Sequence, residues 1–158
     1  MDTNAYAPPK SEITTENNKP GSIVKAVVVG SAIEIVGTIL VGLFIGLIYG
    51  LSIATQGGTA DDIQKAMEII DPWSSYGIAA SFLGLIISLI AGYTCARIAN
   101  IQSYKAAYIL SGISFALGTA FGIGTYPWWS LLLLGLLSVC GVLFGARLYI
   151  RKSHKIQK

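Results

Sequence analysis

Charge is what this sequence has least of. Lys, Arg, Asp and Glu make up 12% of its 158 residues, about half of the ~25% typical of a soluble domain. Histidine occurs once, as His154 in a basic tail, and cysteine twice, as Cys95 and Cys140. Both cysteines fall in apolar stretches on different segments, so they read as small packing residues, and no metal or other cofactor is expected. The polar segments hold no cysteine at all, which excludes structural disulfides there. A P-loop, a zinc helix, a nucleophile elbow and a dinucleotide fingerprint are all missing. Ser and Tyr are present in the apolar stretches, but no base is placed to activate them, so an enzyme is not expected.

The scarce charges leave four long apolar runs: 23–51, 77–98, 106–123 and 128–150. A membrane span needs about 20 mostly apolar residues, because the hydrocarbon layer is about 30 Å thick and a helix rises about 1.5 Å per residue. In lipid such runs must be helical, since an open strand would leave its amides unpaired. The expected fold is therefore an all-α bundle of four transmembrane helices over 23–150, the third span being the shortest. None of the runs reads as a removable signal, and no lipidation motif is present.

Of the eleven Lys and Arg residues, only Lys65 falls on the outer side of the membrane if the N-terminus lies in the cytoplasm. That bias predicts cytoplasmic N- and C-termini. The net charge of +3 is then a topology signal and not a nucleic-acid footprint. Short loops, and outer segments without an Asn-x-Ser/Thr acceptor, fit a bacterial inner membrane. Residues 1–22, with Pro8, Pro9 and Pro20, are expected to be a disordered tail, and 151–158 a basic tail. Ser22 is placed to cap the first span.

The outer segment 52–76 is acidic, with Asp61, Asp62, Glu68 and Asp71. Thr59-Ala60-Asp61-Asp62 fits a capping box, and Ile63, Ala66, Met67 and Ile70 follow at helical spacing until Pro72. A short amphipathic helix is expected there, either a flap over the helix ends or an element for ligand gating or partner docking. Trp73, Tyr76, Trp128 and Trp129 would sit at headgroup level.

A weak repeat relates the two halves. Lys25-Ala26 and Lys105-Ala106 open spans one and three, followed at equal distance by Ser31-x-Ile33 and Ser111-x-Ile113. Spans two and four end alike, with Ser88…Ala96-Arg97-Ile98 against Ser138…Ala146-Arg147-Leu148. A duplicated hairpin would be a parallel repeat, since both copies start inside. Small residues recur in rows: Gly42, Gly46 and Gly50; Gly84, Ser88 and Gly92; Gly118 and Gly122; Gly141 and Gly145. Such rows let helix backbones approach closely, within one bundle or between copies. The expected partners are the bilayer and other membrane proteins or a second copy.

Glu34 stands out as the one carboxylate inside any run, about 16 Å into the first span by helical rise. A charge at that depth costs at least about 2.5 kcal/mol on insertion scales, so the group should hold its proton. It reads either as a proton- or cation-binding site or as interhelical glue hydrogen-bonded to Ser111, Ser114 or a backbone carbonyl. Ser31-Ala32-Ile33-Glu34-Ile35-Val36-Gly37-Thr38 resembles the first-helix segment of small multidrug resistance transporters, which also have four spans. That resemblance implies a carboxyl shared alternately by protons and cationic drugs, mapped onto Glu34. It covers eight residues, and the long acidic outer segment, the polar N-terminal tail and the single orientation depart from that family. The expected function is thus a non-enzymatic packing or assembly protein, with a small proton-coupled or cation-binding transporter as the alternative.

Overall fold

The computed structural model describes residues 21–68, 71–100, 104–123 and 126–156. Five helices follow one another: α1 Ile23–Thr55, α2 Ala60–Glu68, α3 Ser75–Ala99, α4 Lys105–Gly122 and α5 Trp128–Ile156. Three of them, α1, α3 and α5, are long and apolar enough to cross a membrane; α4, at 18 residues, is not among those three. Most of the N-terminal tail, expected to be disordered, lies outside the described residues, as does Ile70.

The helix ends follow from local chemistry. Ser22 caps α1 by accepting the Lys25 amide at 3.3 Å, and Ser74 caps α3 by accepting that of Gly77 at 3.1 Å. Asn100 closes α3 in the left-handed conformation, φ 45°, which asparagine tolerates better than most residues. Two ends differ from the sequence reading. α1 runs four residues past Leu51, and α5 continues through the basic segment to Ile156. Nothing in Ser52–Thr55 or 151–156 breaks a helix, and cations at a helix C-terminus favour its continuation.

α1 and α3 form one antiparallel hairpin and α4 and α5 the other. The hairpins meet mainly along α3 and α5, which run parallel, and less closely along α1 and α4, also parallel. Close approach is made by small residues. A Cβ on Gly92 would strike the Val142 backbone, one on Gly145 the Leu89 carbonyl, and one on Gly141 the Leu85 and Ser88 side chains. The resulting core is built from Ala26, Ala91, Cys95, Ala99, Leu110, Val142 and Ala146, all essentially inaccessible. The large apolar side chains face outward: Leu43 is 66% exposed, Phe82 64% and Leu136 60%. In water this would be an impossibly large apolar surface. With lipid as solvent it is the expected one, since tails and leucines are equally apolar and only tight small-residue packing holds helices together.

α2 returns over the C-terminal end of α1, with Ile63 against Gly50. Its start is a closed capping box. The Asp62 carboxylate accepts the Thr59 amide at 2.9 Å and the Thr59 hydroxyl at 2.7 Å, while the Asp62 amide reaches Thr59 Oγ1 at 3.4 Å. Trp73 stacks on Trp129 at 5.6 Å, and Tyr49 meets Tyr76 at 4.6 Å, so an aromatic layer ties this end of the bundle together.

The Thr59 hydrogen bonds hold the Asp62 carboxyl below its ordinary value of 3.8. A depressed carboxyl contributes stability above its unfolded pKa, and that contribution is lost as pH falls through the lower folded value. The start of α2 should therefore be ordered at neutral pH and fray once the pH drops below about 4. Amide exchange and limited proteolysis over Asp61–Asp71 should rise there while the bundle stays protected. Exchange independent of pH would show that the box does not hold the helix.

Candidate functional site

Each long helix contributes one polar side chain at a common depth. Glu34 is eleven residues from the start of α1, about 16 Å by helical rise, and Ser114 is nine from the start of α4, about 14 Å. Ser88 is eleven residues before the end of α3. Ser138 is eleven before Tyr149, whose hydroxyl donates to Asn100 at that same end of α3, 3.5 Å away. These positions form a polar layer across an otherwise apolar bundle.

Within the layer, Ser114 is hydrogen-bonded to Glu34 Oε2, and the same hydroxyl reaches the Leu110 carbonyl at 2.9 Å. A serine hydroxyl carries one proton. When that proton is directed to Leu110, the proton between Ser114 and Glu34 must be the carboxyl's own. The other oxygen, Oε1, is enclosed and has no hydrogen-bond partner among the described residues. Ser88 of α3 pairs with Ser138 of α5 at 3.2 Å. The buried Cys95 of α3 lies against Gly30, one turn before Glu34 on α1. No Lys, Arg or His lies at this depth in any helix, so nothing neutralises an ionised Glu34 except a proton or a bound cation.

Ser111 is buried, donates to Ala107 of its own helix at 2.7 Å, and makes no hydrogen bond to Glu34 among the described residues. Ser88 is thus not only a packing residue, and Ser138 joins the layer although the sequence singled it out only as half of a repeat. The matched ends of α3 and α5 were the available signal. Among the expected packing glycines, Gly46, Gly92, Gly122, Gly141 and Gly145 are buried, and Gly50 lies against α2. Gly42, Gly84 and Gly118 have open space where a Cβ would stand.

An apolar cleft of about 170 Å³ lies toward the N-terminal ends of α3 and α5, between Trp73, Ile78, Leu134 and Leu137. Its buried Ser130 hydroxyl has no partner among the described residues. Ser130 is eight residues from Ser138, about 12 Å along α5, so the cleft is separate from the polar layer.

The chain matches no known protein family, no curated protein and no solved structure. The functional reading therefore rests on the polar layer alone.

Proposed function

We propose that this is a small proton-coupled or cation-binding membrane transporter, not an enzyme, with Glu34 as the group that takes up and releases the coupled ion. One observation carries the reading: a single carboxyl at mid-bundle, hydrogen-bonded through one oxygen to Ser114, with the other oxygen enclosed and without a partner among the described residues. A residue kept only as glue gains by using both oxygens, because an unpaired buried acceptor costs about 1–3 kcal/mol. A group that alternates between protonated and ion-bound forms needs a free lone pair.

The reading takes α4 as a fourth span. Its 18 residues reach about 27 Å, near the hydrocarbon thickness, and Lys105 and Tyr126 stand beyond its two ends or at them. Both termini then lie on the cytoplasmic side, most simply of a bacterial inner membrane. A second use, assembly with another membrane protein or a second copy, is favoured by the open backbone at Gly42, Gly84 and Gly118.

Vesicles holding the purified protein and an internal pH dye should relax an imposed proton gradient faster than protein-free vesicles. Glu34→Gln, which keeps the shape and a hydrogen bond but cannot titrate, should return the rate to background, a loss of at least about tenfold if proton binding is obligatory. A parent protein no faster than empty vesicles, tested across alkali-metal gradients as well, would remove the transporter reading.

A further inference from the structure

We infer that the two hairpins are copies of one ancestral hairpin and that the proton site lies on the two-fold axis between them, so that Ser114 occupies in one copy the place Glu34 occupies in the other. The inference rests on the reading of Glu34 as a proton site for its chemistry, but not for its geometry.

The repeated motifs relate α1 to α4 by a shift of 80 residues and α3 to α5 by a shift of 50. The outer segment with α2, present only in the first hairpin, accounts for the difference. Applied to the bundle, these shifts match Glu34 with Ser114, Gly30 with Leu110, Ser88 with Ser138 and Gly92 with Val142. The structure brings each pair into contact. Glu34 and Ser114 are hydrogen-bonded across 80 residues, and Ser88 and Ser138 across 50. A Cβ on Gly30 would lie 2.7 Å from Leu110 Cδ2, and one on Gly92 would meet the Val142 backbone.

A residue touches its own counterpart only beside a two-fold axis. In parallel helices related by an axis along their length, such contacts recur about every four residues, as in small-residue helix dimers. Both parallel pairs show that spacing: 30 and 34 on α1, 88 and 92 on α3. Three of the four pairs join unlike residues, so compositional resemblance between apolar helices does not generate them. Burial agrees as well, with Ala26 matching Ala106 and Ala96 matching Ala146, all inaccessible or nearly so.

The consequence is specific. A carboxyl at Ser114 faces position 34 across the axis and stands at the level of the Ser88–Ser138 pair, which the axis carries onto itself, with no Lys, Arg or His at that depth among the described residues. The carboxyl should therefore be movable across the axis. Ser111, buried on the same helix, stands one residue after Leu110 and so about 100° around α4, off the face that 110 and 114 turn to the axis, and should not accept it.

The test is a swap, Glu34→Ser with Ser114→Glu, beside the off-axis control Glu34→Ser with Ser111→Glu. Glu34→Gln with Ser114→Glu serves as a second on-axis variant that keeps a hydrogen-bonding group at position 34. Thermal unfolding in detergent reads the geometry, and the infrared band of a protonated buried carboxyl together with vesicle proton flux reads the chemistry. At least one on-axis variant should melt within a few degrees of the parent and regain the carboxyl band and the flux that Glu34→Gln alone lacks, while the control melts far lower. If both on-axis variants unfold as readily as the control, the shared axis is wrong. If an on-axis variant folds well but neither it nor the parent moves protons, the axis stands and the transporter reading falls.

Discussion

Leucine in place of Gly92 or Gly145 is expected to prise α3 from α5 and unfold the bundle in mild detergent. At both positions even a methyl group would run into backbone: the Val142 carbonyl and Cα opposite Gly92, and the Leu89 carbonyl opposite Gly145. A flexible side chain can turn aside, but a helix backbone can retreat only by moving the whole helix. Overpacking a tight site costs about 1–3 kcal/mol, and leucine at this seam should reach or pass the top of that range. The α3–α5 seam is also the main joint between the hairpins, so its loss leaves little to hold them together. The contrast is with Gly42, Gly84 and Gly118, where open space surrounds the missing Cβ. Leucine there should shift stability by no more than about 0.5 kcal/mol. Detergent-denaturation midpoints of the five single variants test this directly; equal losses at both sets would mean that the α3–α5 contact is misplaced.

Glu34→Leu should do the opposite to stability and the same to function. The carboxyl is a liability in an apolar bundle, with one oxygen enclosed and unpaired. Removing it should raise stability by up to about 2.5 kcal/mol, the insertion cost of an ionisable residue at a helix centre. Ser114 keeps its bond to Leu110 and Ser88 its bond to Ser138, so no buried hydroxyl is orphaned by the change. Proton flux should nevertheless fall to the protein-free level. More stability with no activity is the signature of a functional site that carries a folding cost. A Glu34→Leu protein less stable than the parent would instead mark the carboxyl as structural glue.

Part of the site could be read from residues alone. Glu34 is conspicuous because it is the one acid in a long apolar run, and Ser114 lay within the set of hydroxyls named for it. Ser111 reads on equal terms, and both hydroxyls bond the carbonyl four residues back, yet only Ser114 also reaches Glu34. Periodicity could not separate the two, because both are small, polar and on neighbouring rows of α4. Ser88 and Ser138 illustrate a different loss: each looks like a packing residue until the other is seen 3.2 Å away. The glycine rows show the same limit. Gly84 and Gly92 stand on one row of α3, but only Gly92 meets a neighbouring helix.

What the sequence determined by itself is the solvent and the elements. Apolar runs too long for a soluble core, interrupted by so few charges, require helices surrounded by lipid, because only a helix pairs its own amides where water is absent. Capping signals at Ser22 and at Thr59–Asp62 set two helix starts for equally local reasons. Tertiary structure alone decided which small residues touch and where Glu34 finds its partner. Those outcomes depend on how four apolar cylinders rotate about their axes, and lipid exerts almost no preference over that rotation. Only the close fit of one backbone against another selects it.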